Sequence, residues 1–202
     1  MIVMHNGAHL SALGISSSFL LALPNAASEA GSRFPYVLCL HDDGCNGETM
    51  LRSLNCEEMV DACRCALLHP NGQNSCFLDM THGPAWQNYL LMGLLPLAER
   101  SFPLSGKPSL LGMGTGGWAA SRLAQQLPDR FFASAAVDAQ PDLQEQYTQG
   151  KLCTKPDLQA AFGDPVQMKK YPLCPDTKWF CGEGAAQKAL QYVMHADRSA
   201  RL

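Results

Sequence analysis

Short apolar segments that end in polar turns alternate with longer segments of helical periodicity along this chain. The clearest apolar segment is "FPYVLCLHDDG" (34–44), whose almost unbroken apolar run is typical of a strand buried on both faces of a parallel sheet. Strands that alternate with helices need crossover connections, so the pattern predicts a three-layer α/β fold with a mostly parallel sheet. Strands are predicted within 16–23, 34–44, 65–73, 108–114, 131–140 and 178–184, and helices within 50–65, 86–102, 117–131 and 185–202.

The composition indicates a single globular domain that spans residues 1–202. Hydrophobic residues make up 47% of the chain and charged residues 16%, which excludes a disordered protein. The net charge of −3 and the scattered basic residues argue against nucleic-acid binding. A secretory signal needs a basic residue near its start, but no lysine or arginine precedes Arg33. No apolar run reaches the length of about 18 residues that a membrane helix needs. We therefore expect a cytoplasmic protein with no nucleic-acid or membrane partner.

The cysteines number nine, which is many for a chain of 202 residues. Cys63 and Cys65 form the only close pair, and no second pair or histidine pair completes the spacing of a zinc site. The sequence favours reduced cysteines used as small buried apolar residues over a metal site or a disulfide framework. Neither a metal nor another cofactor is expected.

Four stretches, in order between residues 9 and about 140, share residues with a known family. They are "RFPYVLCLHDDGCNGETML" (33–51), "LLHPNGQNSCFLDM" (67–80), "YLLMGLLPLAERSFP" (89–103) and "LGMGTGGWAASRLAQQLPDRFFASAAVDA" (111–139). Together they resemble the esterase D / tributyrin esterase group of α/β-hydrolases, relatives of S-formylglutathione hydrolase and the antigen 85 mycolyltransferases. The resemblance implies an α/β-hydrolase fold, shortened at the lid and the C-terminus. It also implies acyl transfer by a serine, a histidine and an aspartate.

The nucleophile position is the first departure from that pattern. In "GMGTG" (112–116), which is similar to the G-x-S-x-G nucleophile elbow, Gly114 stands where the serine should be. A glycine cannot attack a carbonyl carbon, although it accepts the positive φ of an elbow without strain. Thr115 and Ser121 are the nearest hydroxyls. The backbone N–H of Thr115 is the expected oxyanion donor, so we expect its side chain to point away from the nucleophile's place.

The acid and histidine positions depart as well. "FCGEGAAQK" resembles the family's C-G-x-x-D segment, but Gly184 or Ala185 stands where the aspartate should be. Glu183 and Asp138 are candidate substitutes, and Asp138 is expected more simply as a turn or helix-cap residue. His195 lies in a predicted helix rather than in a C-terminal loop, so we expect it on a helix surface. The remaining histidines are expected to be structural or in loops, with His41 in the place of the family's structural histidine.

The oxyanion loop is retained in altered form. Asp42-Asp43-Gly44 takes the place of the family's glycine-rich loop, and a vestigial pocket is expected between these residues, Met113 and Thr115. Two carboxylates would oppose the negative charge that an oxyanion hole stabilises. Metal binding and acid–base chemistry are alternatives for this pair, but a solvated loop with aspartates at turn positions is favoured.

These departures predict a pseudoenzyme of the esterase family that is retained for binding. Its partner would be a small ester or acyl compound in the vestigial pocket, or a protein at an exposed sheet edge. A missing final strand would leave such an edge for a second copy of the chain, or for the N-terminal segment, to cover. The alternative is an active carboxylesterase for short acyl esters, with a non-standard nucleophile or a site completed by a partner.

Overall fold

Seven strands form one sheet in the order β1-β2-β4-β3-β5-β6-β7. The structure, a computed structural model, describes residues 1–10, 14–150, 156–166 and 170–199. The first two strands pair antiparallel with each other, β2 pairs antiparallel with β4, and all other neighbours are parallel. The strands are β1 (Ile2–Leu10), β2 (Ile15–Leu23), β3 (Tyr36–Leu40), β4 (Ala66–Pro70), β5 (Ser109–Met113), β6 (Ser134–Val137) and β7 (Lys178–Phe180).

Helices cover both faces of this sheet, so the predicted three-layer α/β architecture is confirmed. One face packs against α3, α4, α5 and the helices of residues 143–162, and the opposite face packs against α1, α2 and α8. The helices are α1 (Gly47–Leu54), α2 (Glu57–Cys63), α3 (Trp86–Asn88), a π-helical segment (Tyr89–Leu94), α4 (Leu95–Ser101), α5 (Thr115–Gln126), α6 (Leu143–Thr148), α7 (Pro156–Phe162) and α8 (Ala185–Ser199).

The structure differs from the sequence prediction at several places, and it has two helices that were not predicted, α6 and α7. Strand β1 was not predicted, because polar residues and Gly7 interrupt its apolar pattern. The single helix predicted over 50–65 is two helices, since Asn55 adopts a left-handed φ of 44° that ends α1. His69, which was expected in a loop, lies in β4 and is fully buried.

The turn between β5 and α5 is held tightly against the end of β3. A Cβ at Gly116 would overlap the carbonyl oxygens of Leu40 and His41, so only glycine lets the start of α5 approach so closely. This contact brings the first turn of α5 beside residues 41–43. Both segments lie at the carboxyl ends of parallel strands, where α/β folds place their sites.

The two edges of the sheet differ in length. The N-terminal segment forms the edge strand β1 beside β2, so it does not cover the opposite edge at β7. Strand β7 has only three residues, whereas β1 has nine. The long uncovered edge is therefore at the N-terminal side of the sheet.

Candidate functional site

Gly114 has the backbone conformation of a nucleophile elbow. Its φ of 52° and ψ of −121° mark the abrupt change of direction between β5 and α5. Its N–H donates to the Val137 carbonyl at 2.9 Å, and its own carbonyl accepts from Gly117 at 3.0 Å, which anchors the turn. The local sequence therefore keeps the shape of the elbow although the nucleophile is missing.

The carboxyl group of Asp42 occupies the space of the missing side chain. A Cβ built on Gly114 would lie 2.0 Å from Cγ of Asp42, 2.1 Å from Oδ1 and 2.3 Å from Oδ2. These distances are far below van der Waals contact, so residue 114 cannot carry a side chain while Asp42 keeps this position. The carboxylate is supplied by the loop after β3, not by the elbow.

One oxygen of this carboxylate is held by the groups expected to form the oxyanion hole. Oδ1 of Asp42 accepts hydrogen bonds from the Thr115 N–H at 2.7 Å and from the Asp43 N–H at 2.8 Å. The Thr115 hydroxyl lies 3.1 Å from the same oxygen. Two backbone donors and a hydroxyl thus converge on a negative oxygen, which is the arrangement that stabilises an oxyanion. Here that oxygen belongs to the protein.

Two expectations for these residues require correction. The Thr115 side chain was expected to point away from the nucleophile's place, but its hydroxyl contacts the carboxylate that fills this place. It also accepts from the Asp43 N–H at 3.0 Å. Asp42 was expected only as a turn residue in a solvated loop. It does begin a turn, since its carbonyl accepts from the Cys45 N–H at 3.2 Å, but its carboxylate also accepts from Thr115, 73 residues along the sequence.

A cavity of about 260 Å³ opens beside this carboxylate. Among the described residues, no hydrogen bond reaches Oδ2 of Asp42. The wall contains three carboxylates, two aliphatic side chains and no histidine, lysine or arginine from the described part of the chain. The lining residues are Asp42, Asp43, Gly114, Thr115, Asp138, Gln140, Leu143 and Leu158.

His41 anchors the loop that carries Asp42. Its ring is buried, its Nε2 accepts from the Gly72 N–H at 3.0 Å, and its Nδ1 lies 2.8 Å from the Asp42 carbonyl oxygen. Because Nε2 accepts, Nδ1 must carry the proton that is donated to this carbonyl. Burial lowers the pKa of His41 below its usual 6.5, so the neutral ring is favoured. The geometry supports a structural role, as the sequence indicated.

Among the described side chains, neither candidate acid is hydrogen-bonded to a histidine. Asp138 lines the cavity and has a left-handed φ of 46°, and its Oδ1 accepts from the Gly182 N–H at 3.1 Å. Asp138 is therefore hydrogen-bonded to the turn after β7, which is the segment that resembles the C-G-x-x-D motif. Glu183, on the same turn, is exposed, and a Cβ at Gly184 would approach only Lys188.

Three further candidate residues, Gly44, Met113 and Ser121, are not among the residues that line the cavity. The Gly44 N–H donates to Oδ1 of Asn74 at 2.8 Å, and Met113 packs against α1, α2 and α8 on the opposite face of the sheet. Ser121 is buried in α5, where its hydroxyl accepts from the Cys174 N–H at 3.1 Å. His195 lies in α8, about 15 Å along the helix axis from its first residue at 1.5 Å per residue. The side chain of His195 is outside the described part of the structure.

The described part of the chain has neither a metal-ligand cluster nor a membrane-spanning helix. Within the described ranges, no three histidine, cysteine, aspartate or glutamate side chains are grouped so that they could hold a metal ion. Eight cysteines are described, all as free thiols, and five of them are buried. Cys153 lies outside the described residues. Among the helices that the structure describes, none has the length and apolar character to span a membrane.

The comparisons with known proteins identify the fold. The sequence matches no protein-family model and no curated protein. Solved structures are similar: a fluorophosphonate-binding serine hydrolase of Staphylococcus aureus has a TM-score of 0.73 at 18% identity, with 98% of this chain and 86% of that chain covered. An S-formylglutathione hydrolase of Agrobacterium tumefaciens has a TM-score of 0.71 at 14% identity, covering 97% of this chain and 95% of that one. MPT51 of Mycobacterium tuberculosis has a TM-score of 0.68 at 15% identity, covering 100% and 85%.

Proposed function

We propose that this chain, which has the α/β-hydrolase fold, is not a serine esterase and instead binds a small cationic ligand in the pocket of that fold. The observation that carries the proposal is the Asp42 carboxylate, which takes both the nucleophile's space and the oxyanion hole. Two consequences follow for the chemistry of the site, one for catalysis and one for the ligand.

Acyl transfer would lack its two principal groups. Gly114 supplies no nucleophile, and the donors that would stabilise a tetrahedral intermediate are already bonded to Oδ1 of Asp42. Because this carboxylate is part of the chain, it competes with a substrate carbonyl without paying the entropy of association. It would also repel the negative charge that develops on that carbonyl oxygen. An ester or acyl ligand, which the family resemblance implies, is therefore disfavoured.

The charge of the cavity favours a cation. Asp42 and Asp138 each contribute a carboxylate to the wall, and no basic side chain of the described chain lines it. Leu143 and Leu158 provide an apolar side. The cavity of about 260 Å³ is slightly smaller than most pockets for drug-sized ligands. A primary amine or guanidinium on a short apolar body would pair with Oδ2 of Asp42, which no hydrogen bond within the described residues reaches, and would pack against the leucines.

Matched probes test the ligand class. Benzylamine, benzyl alcohol and benzoate share an aromatic body and differ in charge, so their binding measured by calorimetry isolates the electrostatic contribution. We expect benzylamine to bind, benzoate not to bind, and the Asp138→Asn variant to weaken benzylamine at least several-fold. Asp129→Asn, which changes an exposed carboxylate outside the cavity lining, is the matched control and should leave binding unchanged. Equal binding of benzoate, or no binding of benzylamine, contradicts the proposal.

One observation favours the alternative, an esterase with a non-standard nucleophile. The Thr115 hydroxyl lies 3.1 Å from Oδ1 of Asp42 and 3.5 Å from Oδ1 of Asp43, so a carboxylate is in place to accept its proton. This reaction would still lack an unoccupied oxyanion hole. Thr115→Val tests this alternative, because it would abolish any ester hydrolysis that uses this hydroxyl.

A further inference from the structure

The edge strand β1 lacks the features that usually prevent a sheet edge from pairing with another chain. Its sequence, "IVMHNGAHL", contains no proline and no lysine, arginine, aspartate or glutamate, and it runs for nine residues. Natural edge strands are usually short, charged or interrupted, because their unpaired N–H and C=O groups attract other strands. The opposite edge strand, β7, has three residues and begins with the exposed Lys178.

Exposed apolar side chains are concentrated at this edge. Ile2, Val3 and Met4 are 37–38% exposed, and Met92 is 74% exposed. Met92 precedes Gly93, where a Cβ would overlap the Leu10 side chain, so Met92 lies near the far end of β1. These four make up most of the large exposed apolar residues in the described ranges, the others being Phe132 and Val166. The edge therefore has an apolar group at each end.

We propose that a second copy of this chain pairs with β1 through an antiparallel strand related by a two-fold axis. A two-fold axis at Asn6 places Ile2 opposite the partner's Leu10 and Met4 opposite the partner's Ala8. All these residues have even numbers and share the sheet face on which Ala8 and Leu10 join the hydrophobic core. Met92 of each chain would then cover Ile2 of the other. Because a two-fold contact is self-complementary, both apolar ends of both chains are buried.

The size of this contact predicts a reversible dimer. A strand of nine residues is about 30 Å long, and with a sheet depth of about 10 Å its edge offers about 300 Å² per chain. Standard stable interfaces bury about 800 Å² per partner. We therefore expect a weak, reversible dimer, with Met92 adding to the buried area.

Sedimentation velocity from about 1 µM to about 100 µM tests the dimer. The unmodified chain should shift from monomer to dimer, and Met4→Lys and Met92→Lys should each weaken association by about tenfold or more. Val166→Lys, at an apolar position that is 91% exposed elsewhere, is the matched control and should dimerise normally. A monomer at every concentration, or equal weakening by Val166→Lys, overturns the proposal. Met92 is on the surface, so its variant tests the interface even if Met4→Lys fails to fold.

Cross-linking tests the register. Asn6 meets its own copy at the axis, so Asn6→Cys should form an intermolecular disulfide under mild oxidation, and Val3→Cys should not. The unmodified chain, which has the exposed Cys181, is oxidised in parallel as the background. Cross-linking of Val3→Cys that equals that of Asn6→Cys would contradict antiparallel pairing centred on Asn6.

Discussion

Replacing Gly114 by alanine tests whether Asp42 really fills the place of the nucleophile. The added Cβ would lie within 2.3 Å of three carboxyl atoms of Asp42, so the carboxylate must either be compressed or leave the oxyanion hole. In both cases the free energy of unfolding falls. Asp42→Ala removes the carboxylate, so Gly114→Ala should lower the free energy of unfolding by less when Asp42 is also alanine.

The magnitude has two parts. A residue other than glycine at a φ of 52° costs about 1–3 kcal/mol, whatever occupies the space around it. The overlap with Asp42 adds about 1–3 kcal/mol, the usual cost of overpacking or of losing hydrogen bonds to a charged group. Gly114→Ala should therefore destabilise the chain by about 2–6 kcal/mol, and only the backbone part should remain when Asp42 is alanine.

Urea unfolding of the four proteins in the cycle measures this directly. The unmodified chain, Gly114→Ala, Asp42→Ala and the double variant give a coupling energy, and we expect the double variant to be about 1–3 kcal/mol more stable than additivity predicts. A coupling below about 0.5 kcal/mol would mean that the two side chains do not compete for one space. It would refute the reasoning on which the proposed function rests.

Two buried groups give further predictions. Burial lowers the pKa of His69 to about 3, and no hydrogen bond within the described structure reaches its ring, so the folded state holds it neutral. The free energy of unfolding should be highest above about pH 6.5 and should fall by up to about 1.4 kcal/mol per pH unit toward pH 3, because only the unfolded state protonates His69 in this range. In urea unfolding at several pH values, His69→Leu should reduce this dependence on pH. Arg122 donates to the Phe77 carbonyl at 2.8 Å and stacks on Trp118 and Tyr171. Arg122→Met should cost about 2–3 kcal/mol in urea unfolding because it leaves the Phe77 carbonyl unpaired, and a loss below about 0.5 kcal/mol would show that the stacking residues compensate.

Most of the sheet was predictable because its strands are buried on both faces. The runs at 34–40, 65–68 and 110–113 contain no serine, threonine, asparagine, glutamine, histidine or charged residue, and such continuous apolar runs predict central strands. Strand β1 was not predictable in the same way, because an edge strand with both faces partly exposed need not follow a hydrophobic pattern. The break between α1 and α2 depends on one left-handed residue, Asn55, which periodicity does not reveal.

The site was predictable one residue at a time but not as a pair. The sequence identified Gly114 as a lost nucleophile and Asp42 as an aspartate in the oxyanion loop, and it treated them as separate changes. They are complementary in space, since one position loses a side chain and the other fills the volume. The available signal was that both residues follow adjacent parallel strands, β3 and β5, whose carboxyl ends meet at one edge. Tertiary proximity, not local propensity, decides this contact.

Hydrolysis of p-nitrophenyl acetate and butyrate by the purified chain tests the central claim most directly. The unmodified chain should stay at the rate of a heat-denatured control, because residue 114 is a glycine and the oxyanion donors are bonded to Asp42. Gly114→Ser should stay at that rate as well, because no histidine base is among the described residues that line the cavity. Turnover by the unmodified chain above that control, and abolished by heat, would contradict the account.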